Sequence, residues 1–307
     1  MTAGRESGEG TGHEPVMVEE VLEYLSPRGG SRVLDLTLGA GGHARAVLDL
    51  IGPTGLLVGV DRDGEQLERT ASRLRADYPQ TRFLHANFGE IDELAAHLKP
   101  IRFGGVLLDL GVSSEQLDDP VRGFSFSRTG PIDMRMDRSQ GQPASVLLKT
   151  ASADELERVF REYGQERHAR GIARAIVRER ARAPLTDTRQ LAAVVERVVR
   201  SRPGAIDPAT RTFQALRIAV NDELGNLARC LEGVHRLLDV QGVIVVISFH
   251  SLEDGLVKRS FRRGQDEGRL EVLTRKPVRP GEEETRRNRR ARSARLRAAR
   301  VIRATGE

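Results

Sequence analysis

Between residues 32 and 110 short apolar runs alternate with stretches of helical spacing, and no other feature constrains the fold as strongly. Residues 32–36, 56–60, 82–85 and 105–110 read as strands; residues 43–50, 65–77 and 91–98 read as the helices between them. The second run, LLVGV, holds no polar side chain, so both faces of its strand are expected to be buried, as in a parallel sheet covered by helices. A β-α-β-α-β-α-β order of this kind predicts a doubly wound α/β sheet, whose ligands bind beyond the carboxyl ends of the strands.

Residues 35–43, DLTLGAGGH, form the first strand-to-helix turn, with three glycines in four positions. Two ligands fit. Gly39, Gly41 and Ala44 match G-x-G-x-x-A, and Asp61 ends the second strand nineteen residues after Gly42, where a ribose-binding acid of a dinucleotide fold stands. That match is weak and implies a nicotinamide-dependent dehydrogenase. S-adenosylmethionine is the other. It has no pyrophosphate to seat, and its ammonium and sulfonium welcome carboxylates. Asp35, Asp61 and Asp109 stand at three strand ends around the glycines, an electronegative cradle for a cationic cofactor. Taken singly, each aspartate also reads as an ordinary helix N-cap. Phe88 follows the third strand, where it offers a face to an adenine ring or simply joins the core.

The alternation stops after residue 111. Residues 112–150 are rich in Ser, Asp, Gly and Pro and show no clear period. Helical faces follow at Leu156, Val159, Phe160 and Tyr163, at Ile172, Ala175 and Ile176, and at Leu191, Val194, Val195 and Val198. A long helix is expected from Phe213 to Leu231, and the sheet resumes with GVIVVISF at 242–249. The expected organisation is a disordered tail (1–12), an α/β core (13–117 and 216–307) and an inserted helical substrate-recognition domain (118–215).

Net charge is +5, unevenly spread: residues 286–303 hold nine arginines and no acid, and residues 157–200 hold eleven arginines against six acids. Such surfaces suit a polyanion, most simply nucleic acid; a GC-rich genome favouring Arg is the bland alternative. No stretch of about 18 uncharged apolar residues exists, and the first residues lack the apolar segment of a secretory signal. Cys230 is the only cysteine, so neither an intramolecular disulfide nor a cysteine-based zinc site is expected. No His/Asp/Glu group has clear metal-ligand spacing, and no bound metal is expected. A soluble cytoplasmic protein is the expectation.

The segments HEPVMVEEVLEYL, DLTLGAGGH, GVDRD, LLDLGVSSEQLDDPVRGFSFSRTGPIDMRMD, YGQERHARGIARAIV, PATRTFQALRIAVNDEL, VISFHSLED and RARSARLR occur in this order. Together, over about residues 13 to 300, they resemble the cytosine-N4 methyltransferases of bacterial small-subunit ribosomal RNA. The stretch from Leu107 to Asp137 is far more specific than any glycine loop. Asp207 and His168 depart from the usual family residues. The resemblance implies a Rossmann-like S-adenosylmethionine-dependent methyltransferase core with an inserted all-helical domain. It implies methyl transfer to the N4 amine of one cytidine of 16S rRNA near the decoding centre, with the small subunit as partner, and neither membrane nor DNA. Carried over by motif, cofactor contacts fall on Gly41, Gly42, His43, Asp61, Phe88, Asp109 and Gln116; Asp35 is added from the residues alone.

A cytosine amine is a poor nucleophile, so the enzyme must hold it in line and stabilise charge developing on nitrogen. The D/N/S-P-P-Y/F loop that many amino-methyltransferases carry after the fourth strand is absent, and DLGVSS (109–114) stands in its place. Asp109 is therefore the candidate for polarising the amine or placing the cofactor, with the Leu110 carbonyl an equal candidate acceptor. His250, in SFHSLED, is a candidate to take the proton, since an imidazole can gain or lose one in the neutral range; a buried, hydrogen-bonded histidine is the alternative. Asp133, Arg135 and Asp137 read either as a loop closing on the target or as a salt-bridged turn. Arg122, Arg135, Arg170, Arg174, Arg211 and the run from Arg286 are candidate phosphate contacts. With so few aromatics, recognition of a folded particle by phosphate and shape is expected. A non-catalytic assembly factor with a retained cofactor pocket is the remaining alternative.

Overall fold

A computed structural model describes residues 15–199 and 207–303, so the tail expected at 1–12 lies outside the described residues. The chain runs α1 (Val18–Leu25), β1 (Arg32–Asp35), α2 (Gly42–Ile51), β2 (Leu56–Asp61), α3 (Gly64–Asp77), β3 (Thr81–His85), α4 (Ile91–Leu98) and β4 (Phe103–Asp109). Six helices follow: α5 (Ser114–Asp118), α6 (Ala144–Thr150), α7 (Ala153–Glu162), α8 (Ala169–Arg180), α9 (Thr188–Val198) and α10 (Ala209–Asn221). Then come α11 (Glu223–Gly233), β5 (Leu238–Ser248), α12 (Ser251–Asp266), β6 (Leu270–Val272), α13 (Glu282–Arg287) and β7 (Arg295–Val301).

The seven strands order as β3-β2-β1-β4-β5-β7-β6. The first five are parallel, and β7 runs antiparallel between β5 and β6. Alternate residues feed two apolar layers. Leu34, Val106, Leu108 and Val246 face α4, α11 and α12, while Val33, Leu107 and Val245 face α1, α2 and α3. Both sides are covered, which is why these strands lack the polar alternation of a half-exposed sheet.

The insertion has an apolar cluster of its own, built from Ile132, Met134, Leu156, Phe160, Ile172, Ile176, Leu191, Val195, Phe213 and Leu216. Leu216 packs in that cluster, and the next helix, with Leu227, Cys230 and Leu231, packs on the sheet. The chain crosses between them at Asp222, whose left-handed φ of 46° ends α10. The single long helix expected over 213–231 is therefore two. The side chain of Asn221 secures the corner: its Nδ2 donates to the Met134 carbonyl at 2.7 Å and the Arg217 carbonyl at 2.8 Å, and its Oδ1 accepts from Met136 N–H at 2.8 Å. Apolar spacing runs straight through this break, so periodicity could not show it.

The arginine-rich segment is a second correction. Its residues 295–301 form β7, with Leu296, Ala298, Ala299 and Val301 buried, so this part of the tract is a sheet strand and not a free basic tail. Arg295 and Arg297 pair with Asp254 of α12, at 3.4 and 2.6 Å, and Arg300 pairs with Glu271 of β6 at 3.1 Å. Alanine and arginine carry little strand preference, and pairing to β5 supplies what propensity does not.

Candidate active site

The turn after β1 is held flat by the ends of neighbouring strands. Asp61, closing β2, accepts Gly39 N–H on Oδ2 at 2.7 Å and Asp63 N–H on Oδ1 at 2.8 Å. Burial pushes its carboxyl up to about 6, against those two hydrogen bonds. Each oxygen keeps a lone pair, since a carboxylate offers about four acceptor sites. Gly41 has φ +80°, and a β-carbon there would lie 2.7 Å from Thr70 Cγ2, so the backbone rests directly on α3.

Asp35 accepts Thr37 N–H at 3.0 Å, and Thr37 Oγ1 accepts Asp109 N–H at 2.6 Å, which ties the end of β1 to the end of β4. Asp35 is 2% exposed and is not among the residues that line the cavity described next. Burial pushes its pKa up to about 7, opposed by Thr37 N–H and His43. The cradle read from the sequence thus has Asp61 and Asp109 at its surface and Asp35 beneath its floor. His43 Nε2 lies 3.3 Å from Asp109 Oδ2, within ion-pair distance. Burial pulls the imidazole down, but Asp109 and Asp35 outweigh it and hold the ring above its ordinary pKa. His43 Nδ1 has no hydrogen-bond partner, and Asp109 Oδ1 is likewise buried without one.

These groups line one side of a cavity of about 580 Å³. Gln116 joins them from α5. Its Oε1 accepts Ser113 N–H at 3.0 Å in a capping box, and its Nε2 donates to buried Asp63 at 2.7 Å. Arg122 meets the same Asp63 oxygen at 2.7 Å while Gln66 N–H donates to the other at 3.2 Å, and Arg122 also donates to the carbonyls of Arg135 and Met136. Arg122 is 6% exposed and is spent inside the protein, which removes it from the candidate phosphate contacts. Phe88 lines the cavity and packs against the sheet core at once.

The opposite side comes from the insertion and from the corner after β5. Thr210, Phe213, Gln214 and Arg217 present one face of α10 at i, i+3, i+4 and i+7. Arg217 forks onto Glu223, with Nε to Oε1 at 2.8 Å and Nη2 to Oε2 at 2.9 Å. His250 caps α12: its Nδ1 accepts Glu253 N–H at 3.4 Å, and its Nε2 lies 3.1 Å from Glu253 Oε1. Glu253 Oε2 accepts Phe249 N–H at 2.8 Å and His250 N–H at 3.3 Å. Burial raises the Glu253 carboxyl, but His250, Arg217 and the Phe249 N–H outweigh it and hold the pKa low. Sequence reading singled out His250 but passed over Arg217, Glu223, Phe249 and the anchoring role of Glu253. The one available signal was HSLE, a capping-box spacing. Glu223, His250 and Glu253 also bring ligand atoms within 4.8 Å of one another, a grouping that sequence spacing did not show. Arg217 and the Phe249–His250 corner already occupy those carboxylates.

PIDMRMD is the salt-bridged turn of its two readings. Ile132, Met134 and Met136 are buried, Asp133 pairs with Arg135 at 2.8 Å, and Asp137 accepts from Ser139 and Gln140. Arg135 is therefore committed as well. Arg290 reaches Asp118 at 3.3 Å, and Arg211 lies 3.5 Å from the Gln165 carbonyl. Arg170 and Arg174 are exposed on α8, and Arg178 continues the same row.

The β1–β4 side suits S-adenosylmethionine on these observations: a buried carboxylate oxygen and a ring nitrogen without partners, a second carboxylate with free lone pairs for a diol, flat glycine backbone, and an aromatic face. The model of the MraW methylase family matches residues 10–302. A curated relative, the ribosomal RNA small subunit methyltransferase H of Thermomicrobium roseum, is 48% identical over 309 residues, 95% of this chain and 94% of its own. The proteins of the same name from Trichlorobacter lovleyi and Halothermothrix orenii are 47% and 41% identical, each over 94% of this chain and 97% of their own.

Proposed function

The chain belongs to the MraW methylase family, and on that premise we propose that it methylates the N4 amine of a cytidine in the 16S rRNA of the small ribosomal subunit. It is an S-adenosylmethionine-dependent methyltransferase. The ordered motifs shared with cytosine-N4 methyltransferases support the choice of base, and the names of the relatives support the RNA. Among the described residues no helix is long and apolar enough to cross a membrane, which accords with a cytoplasmic site of action.

One observation carries the reading: Asp109, at the end of β4, keeps a buried oxygen without a partner beside the glycine turn. When bound, S-adenosylmethionine supplies a methyl group already activated on a sulfonium. Asp61 would take the ribose hydroxyls, Phe88 the adenine face, and the Gly41–Gly42 backbone, His43 and Gln116 the remaining contacts. Asp109, fixed by its N–H to Thr37 and flanked by His43, accepts one N–H of the cytosine amine and steadies the charge that develops on nitrogen. The Leu110 carbonyl, one residue on, is the alternative acceptor. His250 can take the departing proton only by releasing Glu253 N–H from Nδ1, so Asp109 is the better placed of the two.

The rRNA reading also draws on α8, where Arg170, Arg174 and Arg178 stand four residues apart on one exposed face, in steps of about 6 Å along the axis. The experiment is methyl transfer from labelled S-adenosylmethionine to undermethylated small subunits, naked 16S rRNA and duplex DNA, followed by nucleoside mass analysis. N4-methylcytidine from small subunits is the expected product. Label on DNA alone, or none anywhere despite intact cofactor binding, would overturn the reading; the second result favours an assembly factor.

A further inference from the structure

We propose that Phe249 is the platform on which the target cytosine stacks, an inference that rests on the cytidine reading above and names part of its acceptor site. A base brought out of its stack needs an apolar face to replace the one it loses, and enzymes acting on single bases supply aromatic or apolar side chains for this. DLGVSS, which follows β4 beside Asp109, contains no aromatic residue. An aromatic must therefore come from another element.

Five phenylalanines line the cavity, and position separates them. Phe126 and Phe213 pack edge to face, 4.9 Å between ring centres, within the insertion's own cluster. Phe124 is buried beneath the Arg122 guanidinium, 5.9 Å from its ring centre. Phe88 packs against the sheet core beyond β3, on the side expected for adenine. Phe249 packs one side against the other sheet layer and is half-buried at the cavity wall, on the β4–β5 side away from the adenine position.

The sheet places it beside the reacting group. Asp109 is in register with Ile247 on β5, and Leu110 N–H donates to the Ile247 carbonyl at 3.0 Å, so Phe249 follows two residues later on the same edge. A β-carbon built on Gly111 would lie 3.6 Å from Phe249 Cδ2; glycine there leaves the ring edge uncovered. The backbone of the corner is also held in place, because the buried Glu253 carboxylate accepts the N–H groups of both Phe249 and His250. A ring held in this way needs no reordering to receive a base.

The test uses the full chain with undermethylated small subunits and three forms: wild type, Phe249→Leu and Phe249→Tyr. Cofactor affinity by calorimetry and Tm serve as controls. Phe249→Leu keeps apolar bulk without a ring and is expected to lower kcat/KM for the subunit about 10- to 100-fold, the range for losing one base-aromatic stack. Cofactor Kd and Tm should stay near wild type, and Phe249→Tyr should restore most of the lost rate. A Phe249→Leu enzyme with wild-type kcat/KM overturns the proposal. So does a parallel loss of cofactor affinity, or a loss that Tyr does not rescue, since either marks Phe249 as a packing or cofactor residue. If wild type itself forms no N4-methylcytidine, the cytidine reading fails, a result separate from any of these.

Discussion

At the carboxyl edge of the sheet, Asp109 keeps a buried oxygen without a partner, and His43, whose Nε2 faces Asp109, keeps Nδ1 so. In the insertion and its junction, Asn221 bonds three backbone groups, Asp133 is paired to Arg135, and Arg122 bridges Asp63 to two carbonyls. Both regions carry motifs dense in charged residues and both leave buried polar atoms without a partner, among them Arg122 Nε and the Thr212 hydroxyl in the second; of these residues, Asp109 and His43 line the cavity and Arg122 and Thr212 do not. A buried polar atom without a partner is costly unless a ligand completes it, so the two regions divide into a receptor and a frame. Motif specificity and chemistry are thus separate properties. The longest family-defining stretch, residues 107–137, is mostly the hardware that joins the insertion to the sheet.

The division can be broken most forcefully at Arg122. Arg122→Ala would leave the buried Asp63 carboxylate without its cation, with only neutral donors from Gln116 and Gln66, and is expected to cost about 3–5 kcal/mol of stability, measured by chemical denaturation. A loss below about 1 kcal/mol would mean that the junction is not part of the frame. Asp109→Asn should instead leave Tm nearly unchanged and lower kcat about 100- to 1,000-fold, as removal of one charge-stabilising group does. If stability and rate fall together, receptor and frame are not separable at β4.

A smaller effect is expected from the outer face of the insertion. Replacing Arg170, Arg174 and Arg178 with Ala should weaken subunit binding, lower the salt slope by about 2, and spare cofactor affinity. An unchanged slope would remove α8 from the RNA contact. The pH dependence of cofactor affinity should be gentlest. Asp61 and Asp35, raised to about 6 and about 7, lose negative charge as pH falls, so affinity for the cationic cofactor should drop about tenfold between pH 8 and pH 5. The sign for the free protein is opposite. Carboxyls whose pKa rises on folding favour the folded state at low pH, and that contribution fades between about pH 4 and pH 7. Calorimetry across pH, with and without ligand, separates the two.

The legible parts of the molecule were those with a local cause. Strands β1, β2 and β4 announce themselves because both faces are buried, and α4 because Ile91, Leu94 and Leu98 share one face. Gly41 and Asp61 were legible because a flat turn demands glycine and a strand-end acid is hard to place otherwise. What stayed hidden depends on distant partners. Asp222 breaks a continuous apolar stripe. Arg297 is buried only because Asp254 meets it, and Phe249 faces the site only because β5 pairs with β4 in one register. No spacing within a short window encodes such meetings.

Strand β7 joins the sheet between β5 and β6 although it is the latest of the three in the chain. During synthesis β5 therefore leaves the exit tunnel with one long apolar edge open, and α12, β6 and α13 must all emerge before that edge is closed. A nascent strand in this state is a template for pairing with another chain. The three arginines of β7, Arg295, Arg297 and Arg300, acquire a second meaning from this delay: charged side chains on a strand still waiting to pair oppose its pairing with another chain.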